Sequence, residues 1–250
     1  MKAKSYWRVP AGLIALSLVP VAAGTARLIQ LATHATVKPD NARFFAAPLP
    51  MAVHIPSATI FCLLGALQFV PSLRRHAWHR RAGRLVAPAG LAAALSGLWM
   101  AVYYDLPKAD NGLLEIIRLF AGFGMVISLV LGYRAIRRRN ITAHRFWMMC
   151  SYALGLGVGT QVLTHIPWTV FVGTPTGNQR ALLMFAGRAI NLAVAEWYIR
   201  DRPSRSPKQP SNSVVTAPTS KSGSRSSSTG ERHQGGCEHR RILHAACLLL

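Results

Sequence analysis

Ionisable side chains lie inside the long apolar stretches of this 250-residue chain, among them His54, Arg118, His165 and Arg188. An ionisable group in hydrocarbon is costly, so each one calls for a partner or a function. Two neutral imidazoles, offered by facing helices at one depth, make the axial ligand set of b-type haem, and guanidinium groups at that depth suit its propionates. In that chemistry His54 and His165 ligate a haem iron, and Arg118 and Arg188 meet the propionates. A second pair, His79 with His144, would hold an inner haem. Two haems would form a transmembrane electron path to a redox partner or quinone. His144 and His165 are 21 residues apart, about 31 Å of helical rise, which sets the inner pair at or beyond the hydrocarbon edge.

The same residues admit two other readings. Arg118 and Arg188 could bind an anionic solute while His165 relays protons, as in a small-solute or anion/proton transporter. Alternatively the polar groups pair among themselves in a structural or regulatory membrane subunit without catalysis. Local spacing supports some pairings: Gln161 with His165, Glu115 with Arg118 and Arg188 with Asn191 each share a helix face. No phosphate-binding loop, dinucleotide fingerprint or HExxH motif occurs, so no catalytic residue is assigned. The run Gly155-Leu156-Gly157-Val158-Gly159 falls in the middle of an apolar segment, not after a strand, and its small residues suit helix packing.

These residues need elements to hold them at depth. The chain is 51% hydrophobic yet carries a formal charge of +21. The charges sit in short runs between apolar stretches, which is the pattern of a membrane protein and leaves no basic face for nucleic acid. Six segments reach the length of about 20 apolar residues that a spanning helix needs: 9–32, 46–73, 85–104, 113–133, 146–171 and 181–199. None alternates with period two, and lipid cannot satisfy an open backbone, so the spans are helices. The expected fold is an all-α integral membrane bundle. The first segment has the outline of a secretory signal, but its apolar run continues past Arg27, which favours a retained helix.

Charge sets the expected orientation. Arg74, Arg75, Arg80, Arg81 and Arg84 separate the second and third spans, and Arg134, Arg137, Arg138, Arg139 and Arg145 separate the fourth and fifth. The alternate connections are poor in Lys and Arg. Positive loops stay on the cytoplasmic side, so both termini are expected there, in the inner (plasma) membrane, with the basic loops near anionic lipid headgroups. Residues 1–200 form the membrane domain. Residues 201–250 are rich in Ser, Pro, Lys and Arg and read as a disordered cytoplasmic tail. Cys237, His239, His244 and Cys247 in that tail fit no common zinc spacing.

Several short motifs occur in a particular order: His54 early in the second span, Gly65 and Gln68-Phe69 near its end, His79-Arg80-x-x-Gly83-Arg84, and His144-Arg145-Phe146-Trp147-Met148. In these the chain resembles a family of bacterial multi-pass membrane proteins with no established activity, over residues 1–200. That resemblance implies a membrane location. The histidine pattern is also distantly similar to two-haem b-type cytochromes, although those set their paired histidines closer together along each helix.

Overall fold

The computed structural model describes residues 7–39, 41–74, 77–105 and 112–200. The tail expected from residue 201 onward lies outside them. The described residues form helices and no strand: α1 (Arg8–Ala32), α2 (Ala42–Ala46), α3 (Pro48–Leu67), α4 (Pro71–Arg74), α5 (Ala77–Tyr103), α6 (Gly112–Arg137), α7 (Ile141–Phe171) and α8 (Gly177–Arg200). Among them α1, α3, α5, α6, α7 and α8 are long and apolar enough to cross a membrane, with a mean hydropathy of 1.2 to 2.0. The all-α, six-span expectation holds.

The boundaries differ from the sequence reading where proline and capping intervene. The second span is cut at both ends. Ala47 leaves helical geometry (φ −138°, ψ 81°) ahead of Pro48, and the chain turns at residues 68–70 ahead of Pro71. Proline crowds the preceding residue out of the α region. α5 begins at Ala77, so His79, Arg80 and Arg84 occupy its first turns rather than a loop. α7 begins at Ile141, where Asn140 Oδ1 accepts the Ala143 N–H at 3.0 Å and caps the helix. His144 therefore sits in the first turn of α7.

α7 is the centre of the bundle. It packs on α8, α6 and α1, and more lightly on α3, while α5 packs chiefly on α3 and α6. Its glycines explain how it serves so many neighbours. Positions i, i+2 and i+4 point in different directions around a helix. A Cβ at Gly155 would strike the Phe61 ring of α3 at 2.8 Å, and one at Gly157 would meet Arg188 Cγ of α8 at 2.7 Å. A Cβ at Gly159 would run into the backbone carbonyl oxygen of Leu16 in α1. Close approach of this kind drives helix association where no hydrophobic force acts between helices.

Polar side chains tie α7 to α8. Thr160 Oγ1 donates to Asn191 Oδ1 (2.7 Å), Asn191 Nδ2 to the Ala153 carbonyl (3.3 Å), Gln161 Nε2 to the Met184 carbonyl (3.0 Å) and Thr164 Oγ1 to the Leu183 carbonyl (3.0 Å). Asn191 thus bonds across to α7 and not along its own helix to Arg188. Phe61, Met125, Tyr152, Leu154 and Leu156 form the apolar core between α3, α6 and α7. Tyr152 closes it by donating its hydroxyl to the Cys62 carbonyl at 2.8 Å. The outward faces stay apolar: Phe120, Phe123, Phe171 and Trp197 are all exposed, as suits a bilayer around the bundle.

Candidate functional site

A cavity of about 570 Å³ lies within the bundle at the end opposite the arginine-rich connections. Every spanning helix contributes to its wall. Among the described residues, five arginines line it, namely Arg27, Arg43, Arg118, Arg180 and Arg188, together with His54 and a single acidic residue, Asp105.

The arginines occupy successive depths. At the mouth, the guanidinium carbons of Arg27 and Arg43 lie 5.0 and 4.7 Å from the centre of the Phe44 ring. Both cations draw on one aromatic quadrupole, which holds two like charges side by side. Arg27 Nη1 donates to Gln30 Oε1 (2.8 Å) and Arg43 Nη1 to the Asp105 carbonyl (3.1 Å). Phe44 is braced edge-on by Tyr104, with ring centres 5.5 Å apart. The Tyr104 hydroxyl donates to the Ala47 carbonyl at 2.6 Å. Burial pushes the Tyr104 phenol above its ordinary pKa, and the Arg43 charge and a hydrogen bond with the Met51 backbone pull it part of the way back.

Further in are Arg180 in the first turn of α8, Arg118 in the second turn of α6, and Arg188, eleven residues beyond Gly177. At 1.5 Å per residue that places Arg188 about 16 Å from the start of α8. The stem of Arg188 lies against Gly157, where a Cβ would displace it. Its Nη1 makes a long bond to the Met184 carbonyl at 3.4 Å. Its Nε is buried without a partner among the described residues. Arg118 is close enough to act on it electrostatically, and the sign is repulsive. Arg188 is half-buried as a residue, and its buried, unpartnered Nε carries a desolvation cost that no neighbour offsets among the described residues.

His54 enters the same cavity from α3. Its Nδ1 is 2.8 Å from the Ala93 carbonyl and 3.2 Å from Ser96 Oγ, across the contact with α5. A carbonyl only accepts, so the ring proton sits on Nδ1, and Nε2 is the acceptor nitrogen of the neutral ring. Gly97 leaves room for the ring, since a Cβ there would stand 3.2 Å from Cε1. Below these polar groups Phe61, Met125, Leu154 and Leu156 form an apolar floor.

A second, more open cavity of about 610 Å³ lies between the ends of α7 and α8, lined by Gln161, His165, Thr169, Arg180 and Met184 among others. His165 Nδ1 bonds the Gln161 carbonyl one turn back at 2.7 Å. Arg180 and Val158 belong to both cavities. The structure therefore brings His54, Arg118 and Arg188 together and sets His165 in the adjoining cavity. At the other end of the bundle, His144 Nδ1 bonds the Gly132 carbonyl of α6 at 2.8 Å, while His79 lies in α5, which packs chiefly on α3 and α6.

Sequence reasoning found His54, Arg118 and Arg188 but missed Arg27, Arg43 and Arg180. Those three stand near span ends, where a long basic side chain ordinarily snorkels to the interface. The signal was their presence on the side otherwise poor in positive charge. The role of Gly157 as a slot for a charged stem, rather than an apolar contact alone, was also missed.

No curated protein and no solved structure matches the chain. One family matches residues 51–199, which covers α3 to α8 and includes His54, Arg118, Arg180 and Arg188 but not Arg27 or Arg43. More than half of the chain lies in that match, and the chain belongs to this family, described as predicted membrane protein (DUF2306).

Proposed function

We propose that this membrane protein binds an anion in the arginine-lined cavity and takes it up from the outer face of the membrane. The observation that carries the proposal is Arg188: a guanidinium deep in the bundle whose Nε is buried without a partner among the described residues, in a wall where those residues supply five arginines and one aspartate. Such a group is stabilised by an anion that arrives from outside the chain. The assignment of faces rests on the basic runs around Arg80–Arg84 and Arg134–Arg139, which would lie in the cytoplasm beside anionic headgroups. The cavity then opens outward.

Thermal unfolding of the purified protein against inorganic phosphate and against acetate, at fixed ionic strength balanced with chloride, tests the proposal. Saturable stabilisation by at least one of the two is expected, weakened tenfold or more in Arg188→Gln. Absence of a saturable response to both overturns it.

A second reading has one observation in its favour. His54 offers Nε2 in the cavity that holds Arg118 and Arg188, which suits an axial ligand and two propionate partners of b-type haem. His165 lies in the adjoining cavity, so the facing ligand is less well provided, and the anion reading is preferred. A Soret band in the purified protein that is lost in His54→Ala would reverse that preference.

A further inference from the structure

We infer that the anion is amphiphilic: a carboxylate or phosphate head on an apolar body. This inference rests on the anion-binding reading above and narrows it. The cavity has two chemically distinct levels. His54, Arg118 and Arg188 make the upper one. Phe61 lies seven residues deeper than His54 along α3, and Met125 seven deeper than Arg118 along α6. That separation is about 10 Å of helical rise, and it leads onto the buried core of Phe61, Met125, Leu154 and Leu156.

Volume decides between a bare ion and a larger ligand. At about 570 Å³ the space falls in the range of about 300–1,000 Å³ typical of small-molecule sites. A water molecule accounts for about 30 Å³, so an inorganic anion with a partial hydration shell would fill only a fraction of it. The remainder is the apolar floor, which neither water nor a hydrated ion satisfies. An apolar chain or ring system covers that floor while its head stays among the guanidinium groups, where a planar carboxylate or a phosphate can take paired N–H donors. Arg27 and Arg43, stacked on Phe44 at the mouth, attract the head before it reaches Arg118 and Arg188.

The test uses the full chain in nanodiscs of zwitterionic lipid and four probes: acetate, decanoate, inorganic phosphate and decyl phosphate. Each methylene buried is worth about fourfold in affinity. A decyl chain is therefore expected to tighten binding by about tenfold or more over the matching short anion. The tighter of the two long probes identifies the head. Ala58→Phe, which fills the cavity from α3 one turn from Phe61, is expected to remove the chain-length gain and retain binding of the short anions. Ala94→Leu serves in its place if that variant does not fold. If the short anions bind with Arg188 dependence and the long ones bind no tighter, the ligand is a small anion, and this inference falls while the anion reading stands. If none of the four binds, both fall. A chain-length gain that persists unchanged in Ala58→Phe or Ala94→Leu, and in Arg188→Gln, reflects partition into lipid and also overturns the inference.

Discussion

Replacing Arg188 by methionine is expected to make the protein more stable in phosphate-free buffer and to abolish its response to phosphate. Methionine keeps an unbranched apolar stem for the slot at Gly157 and removes the charge. What is lost is one long bond at 3.4 Å. What is relieved is a buried Nε without a partner and the repulsion from Arg118. An unsatisfied buried polar group costs about 1–3 kcal/mol, and exchange of buried charge for apolar side chains of similar volume often stabilises by about 1–4 kcal/mol. A gain of about 1–3 kcal/mol follows, worth a few degrees in Tm for a chain of this size. Phosphate at a hundred times its Kd would add about 2.7 kcal/mol to the wild type and nothing to the variant, which closes or reverses the gap. Thermal unfolding followed by tryptophan fluorescence, with and without phosphate, reads both quantities. A variant less stable than wild type in phosphate-free buffer would show that Arg188 already has its counter-charge, and the reasoning would fail.

Two further perturbations probe the frame around the site. Gly159→Ala puts a methyl group against the Leu16 carbonyl oxygen, which moves only if a whole helix moves, and is expected to destabilise by about 1–3 kcal/mol. Gly12→Ala in the same pair of helices has open space around it and is expected to be neutral or better, so equal Tm values for the two variants would refute the α1–α7 contact. Tyr104 supplies a pH test. Its folded pKa is raised, chiefly by burial, so its contribution to stability is complete below the ordinary tyrosine value of about 10 and is lost as pH rises through the folded value. The difference in Tm between wild type and Tyr104→Phe should stay constant from about pH 7 to 9 and change only above about pH 10, and a tyrosinate absorbance component assigned to Tyr104 below that pH would contradict its burial.

The spans were legible because length, hydropathy and loop charge are one-dimensional signals, and the six helices and the central glycines agree with them. Proximity was legible in part: His54, Arg118 and Arg188 line one cavity. Direction around each helix was not. In water an amphipathic stripe marks the inner face, but lipid leaves both faces apolar, and Phe120 and Phe123 on the outside of α6 look no different in sequence from Met125 on the inside. Equal depth for His54 and His165 therefore could not say that they line separate cavities. The breaks at Pro48 and Pro71 were passed over in the 46–73 reading, although proline marks them in the sequence, and residues 201–250, read as a tail, lie outside the described residues.

The three glycines of α7 also fix a sequence of events in synthesis. Their partners on α1, α3 and α6, Leu16, Phe61 and Met125, are all made before α7 exists. Until it arrives, the pairs α1–α3, α3–α5 and α5–α6 can form, but the faces destined for α7 have only lipid against them. α8 is made last and brings Arg188 to the slot that Gly157 leaves open. Arg188 thus enters after its seat has been built, and a nascent chain stopped before α7 would lack both the α7 side of the core and that cation.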